Sequence, residues 1–409
     1  MKSKHIIPDP ILLILALVLS FLGLFFSFDA GYGRSLGSGH GLIPHEFFTQ
    51  FIALVVGIAL AGWILFFDPR ILQKVAKPAW YGCVILLLLT SFSPLRAVKS
   101  GGARWIHLGP VLIQGAEFAK VGAILYLSYV LSHMKPMPKI RKKIPDIFTW
   151  LDKVAVPFVR RGWPFVLILF SSLLIEKEPD LGTAAVIISI AFVMSFVAGV
   201  NSKVLLGVLG LLVLAAVIMV KSEPYRLERL MDHGSQWNAQ SIDGPGFQQL
   251  QAKVSMAYGG IKGKGIGEGR AKLVIPAPTT DFVLATVAEE TGFLGTFVIF
   301  GLLAAMIARL IQLGRLSTTP FVSLFLFGVA SWLAIQGSVN ALQANDTLPS
   351  IGIPFPFISS GGSSLVALWI ALGLCEACLR QVPETLPKEA VVDDSIHGRR
   401  NRGTYIPSH

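Results

Sequence analysis

Charge is scarce in this chain. Only 14% of its 409 residues are Asp, Glu, Lys or Arg, where soluble domains carry about 25%. A charged surface wrapped around a single soluble core is therefore excluded. Cysteine is scarcer still: Cys83, Cys375 and Cys378 are the only three, and all lie in apolar stretches. That excludes a disulfide framework. The lone CxxC at 375–378 has no second ligand pair, so it reads as two helix residues and no metal site is expected. The glycine-rich stretch "GGIKGKGIGEG" at 259–269 lacks the Gly-Lys-Ser/Thr ending of a phosphate-binding P-loop. It is not a dinucleotide fingerprint between strand and helix either. Positive charge is in excess, at +11 net, but it is scattered among short loops. No nucleic-acid partner is expected.

What the chain has in quantity is apolar residues: 53% are hydrophobic, and the mean hydropathy is +0.65. A membrane-crossing helix needs roughly 20 mostly apolar residues. Ten segments qualify, near 11–28, 47–68, 78–94, 115–133, 164–176, 181–199, 203–220, 282–312, 320–342 and 364–380. The fifth is short. The eighth is long enough to tilt or to project. The sequence thus predicts an all-α integral membrane protein with about ten spans. The membrane domain covers 1–380, with a large outer loop at about 221–281. A polar tail, 381–409, has no core to bury and reads as flexible. The first apolar run is too long for a signal-peptide core and has no clear cleavage site after it, so it reads as a retained span.

Charge orients the spans. Arg70, Lys74 and Lys77, the "KIRKK" and "VRRGW" runs inside 134–163, and Arg399, Arg400 and Arg402 fall on one side. That side is assigned to the cytoplasm, with both termini on it. Arg96, Lys99 and Arg104 on the opposite side break the rule; they read as charge kept for a ligand or as noise. Residues 144–160 read as a helix on the membrane surface or as a plain linker. The glycine-rich stretch supplies backbone that can approach a ligand closely, and Lys253, Lys262, Lys264 and Arg270 around it are placed to meet phosphates.

Carboxylates near hydrocarbon are costly and mark sites or pairs. Asp281 stands at the mouth of the eighth segment. It reads either as a helix N-cap or as a general base at the membrane surface. Glu289 and Glu290 lie roughly 12–14 Å further along the helix, too far to pair with it, and read as structural. Glu117 and Lys120 share one helix face at spacing three, as an ion pair or as a groove. Asp180, in "EKEPDLGT", caps the sixth segment or lines a cavity. Residues 348–364, "LPSIGIPFPFISSGGSS", hold three prolines and three glycines. Irregular backbone of that kind survives near a membrane only under cover of protein or water, so this loop should tuck into the bundle.

The stretches "GGARWIHLG", "EPDLGT", "GKGIGEG", "TDFVLATVAEETG" and "LPSIGIPFPFISSGGSS" occur in the order seen in the SEDS family (shape, elongation, division and sporulation proteins). The resemblance spans about 11–381. "SEPYRLERL" at 222–230 is more similar to the division branch than to the elongation branch. The resemblance implies a ten-span glycosyltransferase of the bacterial cytoplasmic membrane that polymerises lipid II on its outer face. It implies a class B penicillin-binding protein as partner, docked through its own transmembrane helix, together with other division or elongation proteins. The aspartate of "TDF" is the family's catalytic residue, here Asp281. Arg104, Glu117, Lys120, Asp180, Lys253, Thr280 and Ser363 are the expected substrate contacts. No tightly bound cofactor is expected; a divalent cation, Mg or Mn, is compatible with a departing pyrophosphate. Three positions depart from the family pattern: Thr279 where a His is usual, Ala277 where a Glu is common, and Ser360 where a Tyr is usual. A lipid transporter and a non-catalytic scaffold are the rival readings. Small residues Gly328, Ala330, Ser331 and Ala334 on the ninth segment suggest, with the eighth, a docking edge for the partner's helix.

Overall fold

The computed structural model describes residues 8–37, 42–93, 96–99, 102–108, 111–134, 156–222, 247–275 and 278–380. The basic loop at 135–155, the first part of the outer loop at 223–246, and the tail 381–409 lie outside them.

The ten apolar segments all become helices: α1 (Pro10–Gly37), α2 (His45–Ile64), α3 (Pro69–Phe92), α4 (Gly115–Ser132), α5 (Val156–Lys177), α6 (Leu181–Val197), α7 (Ser202–Ser222), α10 (Val283–Leu316), α11 (Pro320–Ala344) and α12 (Gly362–Leu379). Two shorter helices, α8 (Phe247–Gly259) and α9 (Ala271–Val274), lie in the connection between α7 and α10. Helices α1, α2, α3, α10, α11 and α12 are long and apolar enough to cross a membrane, and α6 and most of α7 are apolar but shorter. This is a multi-pass membrane protein. Its outward faces carry Phe21, Phe51, Leu211, Phe293 and Phe297, each more than 40% exposed, which only a hydrocarbon surround makes cheap.

Local signals set the helix ends. Asp68 accepts the Arg70 amide at 2.8 Å and Pro69 opens α3, a side-chain cap followed by a proline that needs no donor. The short fifth segment is explained by its start: α5 begins at Val156, with Arg160 and Arg161 and then Pro164 before its longest apolar run. Between α3 and α4 lies an antiparallel sheet in the order β1 (Arg96–Lys99), β2 (Gly102–Leu108), β3 (Val111–Gln114). Its register pairs Trp105 with Gln114 and Leu108 with Val111.

Inside the bundle, α3 packs on α4 through Trp80, whose ring lies parallel to that of Tyr126 at 5.8 Å. Helix α2 packs on α12 where a Cβ on Gly373 would stand 2.7 Å from Ala61 Cα, so glycine sets the interhelical distance there. At the end of the bundle remote from the sheet, Asp9 receives Arg309 at 2.5 Å and its own amide donates to Glu376 at 2.9 Å. These contacts tie α1, α10 and α12 together.

The eighth segment is long because it is two helices. Gly292 breaks α10 at φ 68°, ψ −166°, a conformation open essentially to glycine alone. The glycine-rich loop closes the break. The amides of Lys264 and Gly265 donate to the carbonyls of Glu289 and Glu290, at 2.9 and 3.1 Å. In return, the amides of Phe293 and Leu294 donate to Gly260 and Ile261, at 2.9 and 3.2 Å. The close backbone approach expected of this loop is made, but to α10. The small residues of α11 also face inward: Gly328, Ala330 and Ser331 are buried, and a Cβ on Gly328 would meet Ile124 of α4 and Met194 of α6. They form an interior seam, not the docking edge read from their spacing.

Candidate active site at the mouth of the bundle

Asp281 lies in the turn that enters α10. The N-cap of that helix is Phe282, one residue past Asp281. A Cβ on Gly352 would stand 3.7 Å from Asp281 Oδ2, so the carboxylate lies over the 348–361 loop. That loop is tucked in as expected: Ile353, Phe355, Phe357 and Ile358 are each at most 2% exposed.

The turn is held by its carbonyls. Thr279 O accepts the Ser360 amide at 2.7 Å. Thr280 O accepts Ser359 Oγ at 2.6 Å. Asp281 O accepts Asn340 Nδ2 at 3.0 Å and Gln343 Nε2 at 3.3 Å. The same two side chains donate to Ile353 O at 2.7 and 2.8 Å. Gln50 of α2 anchors the loop's far side, donating to Ser359 O and accepting the Gly361 amide. Of the residues expected at the site, Thr280 thus contributes its carbonyl to the turn.

Deeper in the bundle Lys120 Nζ sits 2.9 Å from both oxygens of Glu117 and 2.8 Å from Gln336 Oε1. Lys120 and Glu117 are both 2% exposed. Gln336 also accepts Trp332 Nε1 and donates to Pro354 O at 3.0 Å. Gln336, Asn340 and Gln343 follow one another at spacings four and three on α11, one face of a helix. The ion pair below and the aspartate above are therefore joined by one stripe of carboxamides. The sequence reading missed these three residues. Their signal was present, as amides at helical spacing in an otherwise apolar segment.

A second cluster stands at the sheet. Asp180 caps α6 through the Thr183 amide at 3.0 Å, accepts Gln114 Nε2 at 3.0 Å and lies 3.7 Å from Arg104. It caps α6, and the positive charge at Arg104 has a buried partner. Burial raises the Asp180 carboxyl above the usual carboxylate range, although Arg104 and the Thr183 amide oppose the shift. Two residues away, Glu178 is bonded by Thr90 and by Ser91, the latter at 3.0 Å. Burial pushes it up to about 7. Ser363 Oγ accepts the Gln114 amide at 3.1 Å, which fixes the start of α12 to the sheet.

Lys253 of α8 is half-exposed and lies 3.4 Å from Asp346, just beyond α11. Glu289 and Glu290 do not join Asp281. Glu289 accepts the amides of Arg270 and Ala271 at 3.0 and 2.7 Å. Glu290 binds Lys272, which also binds Asp29. Both acids lock the α9 segment onto α10 and α1, the structural role expected of them. Among the described residues no three His, Cys, Asp or Glu side chains are grouped to hold a metal ion.

Comparison with known proteins gives a consistent picture. The profile of the FTSW_RODA_SPOVE family, described as cell cycle protein, matches residues 10–383. A protein of Geobacter metallireducens named "Probable peptidoglycan glycosyltransferase FtsW" is 29% identical over 369 residues, covering 90% of this chain and 93% of its own. The stage V sporulation protein E of Bacillus subtilis is 32% identical over 381 residues, covering 91% and 97%. Among solved structures, a chain from work on "structural coordination of polymerization and crosslinking by a peptidoglycan synthase complex" superposes with a TM-score of 0.71. It is 28% identical and covers 92% of this chain and 99% of that one.

Proposed function

We infer the function from one premise: this chain belongs to the FtsW, RodA and SpoVE family of cell cycle proteins. We propose that it is a peptidoglycan glycosyltransferase, polymerising lipid II into glycan strands at the outer face of the bacterial cytoplasmic membrane during cell division. The observation that carries the reading is Asp281, an acid at the mouth of an apolar bundle, in a turn whose carbonyls are all taken up by neighbouring groups.

Glycosyl transfer from a lipid pyrophosphate needs one carboxylate, where a hydrolase needs two, because pyrophosphate already leaves readily. Asp281 takes the proton from the sugar 4-hydroxyl of one lipid II. That oxygen attacks the anomeric carbon of the other, and the bond to pyrophosphate breaks with its electron pair going to the phosphate oxygen. Arg104, about one quarter exposed beside Asp180, and Lys253 are the cations that steady this leaving group. Glu117 and Lys120 shape the groove beneath. A divalent cation remains an optional aid at the pyrophosphate, and no step depends on it.

The end with Arg70, Lys74, Lys77, Arg315 and Arg380 faces the cytoplasm by the excess of positive charge, which puts Asp281 outside. A class B penicillin-binding protein supplies crosslinking. The exposed face of α10, with Phe293, Leu294, Phe297 and Val298, is open to its transmembrane helix. The test is a gel assay of glycan made from lipid II by the purified chain. Asp281→Asn keeps side-chain size and removes the base, so synthesis should fall about 10²–10⁴-fold in a folded protein. Normal synthesis by that variant would refute the assignment, and lipid transport without polymer would replace the whole reading with that of a transporter.

A further inference from the structure

We propose that Asn340 and Gln343 are positioning residues for Asp281: together they bracket the turn that carries it against the 348–361 loop. The proposal rests on the glycosyltransferase reading above for its kinetic consequence, but its structural content stands separately.

Both side chains are fully buried, so their amide donors need partners; both find them, while Asn340 Oδ1 has none among the described residues. Asn340 Nδ2 and Gln343 Nε2 each reach the same two acceptors, Asp281 O and Ile353 O. Gln343 Oε1 also accepts the Ile351 amide at 3.3 Å. One rigid helix thus fastens two irregular segments that are 72 residues apart in sequence, at 281 and 353. Neither segment has a regular hydrogen-bond ladder of its own to fix it. The carbonyls of residues 279 and 280 are held by Ser360 and Ser359, but the carbonyl of residue 281 itself depends on α11. A base is useful only if it is held within a fraction of an ångström of its working position. Two donors on each carbonyl make the bracket redundant: either amide alone keeps both segments joined.

That redundancy gives a specific expectation. Asn340→Leu and Gln343→Met, which keep volume and remove the donors, should each lower kcat only a few-fold. The double variant should lower it about 100-fold, the scale of a small misplacement at a reacting centre. KM for lipid II should not move, because neither side chain touches the substrate. Hydrogen–deuterium exchange on the full-length purified protein should speed up in peptides covering 278–285 and 351–354 in the double variant. Faster exchange there with a normal KM and a depressed kcat supports the proposal. Unchanged exchange at the turn overturns it, as does kcat within twofold of the parent. A loss of kcat that merely follows a loss of thermal midpoint also overturns it. Should the double variant not fold, each single variant is judged by its kinetics: a few-fold loss of kcat at an unchanged KM supports the proposal, and kcat within twofold of the parent overturns it. If the parent protein makes no glycan at all, the functional reading fails, while the exchange measurement still decides whether the bracket exists.

Discussion

Removing the charge of Lys120 should destabilise the protein far more than removing both members of its pair. In Lys120→Met the Glu117 carboxylate keeps its burial, at 2% exposure, and loses the cation 2.9 Å away. Breaking a buried pair by deleting one partner costs about 3–5 kcal/mol. The lost bond to Gln336 Oε1 at 2.8 Å adds about 1 kcal/mol, as does the ammonium's position 5.0 Å from the Trp332 ring centre, at roughly 0.5–2 kcal/mol. Glu117→Leu strands the ammonium in the same way. The double variant Glu117→Leu/Lys120→Met leaves no charge behind, and replacing a buried pair by apolar residues of similar volume is often neutral. The coupling between the two positions should therefore reach about 3 kcal/mol, against the few tenths expected of independent sites. At on the order of 2 °C per kcal/mol, Glu117→Leu drops the thermal midpoint by roughly 6–10 °C and Lys120→Met by roughly 9–16 °C, and the double variant drops it by less than either. The assay is thermal unfolding of the purified protein in one detergent across all four members of the cycle. A double variant whose loss equals the sum of the single losses would refute the reasoning, because it would mean that neither charge depends on the other.

Two further outcomes follow from named contacts. Gly263→Ala puts a Cβ 2.0 Å from Glu290 O at a φ of +82°, where left-handed backbone alone costs about 1–2 kcal/mol; exchange at residues 264, 265, 293 and 294 should accelerate, and an unchanged rate would count against the splice across the Gly292 break. Glu178 holds its proton to about pH 7, so the folded state binds more protons than the unfolded chain between roughly pH 4.5 and 7. Stability should fall as pH rises through that window, and Glu178→Gln should flatten the slope of thermal midpoint against pH; an equal slope in both proteins would show that another group controls it.

The ten helices were legible from the sequence because a membrane span is specified almost locally. Hydrocarbon demands an apolar run of fixed length whatever its neighbours are, and 11–28, 47–68 and 364–380 meet that demand alone. Asp281, Glu117, Lys120 and Asp180 were legible too, because charge in such surroundings is costly enough to stand out. Pairing on one helix face, as for Glu117 and Lys120, follows from spacing alone. The remaining features depend on contacts distant in sequence. Gly292 could break α10 only because the backbone of 260–265 supplies the missing donors and acceptors. The carboxamides at 336, 340 and 343 gained meaning only when the carbonyls of 281, 353 and 354 arrived beside them. The small residues around Gly328 fit an outer docking edge or an inner seam equally well by spacing, and α4 and α6 decided between them. A hydrogen bond has a fixed short reach but no sequence range, so sequence marks the groups that need partners and the tertiary fold chooses which partners they find.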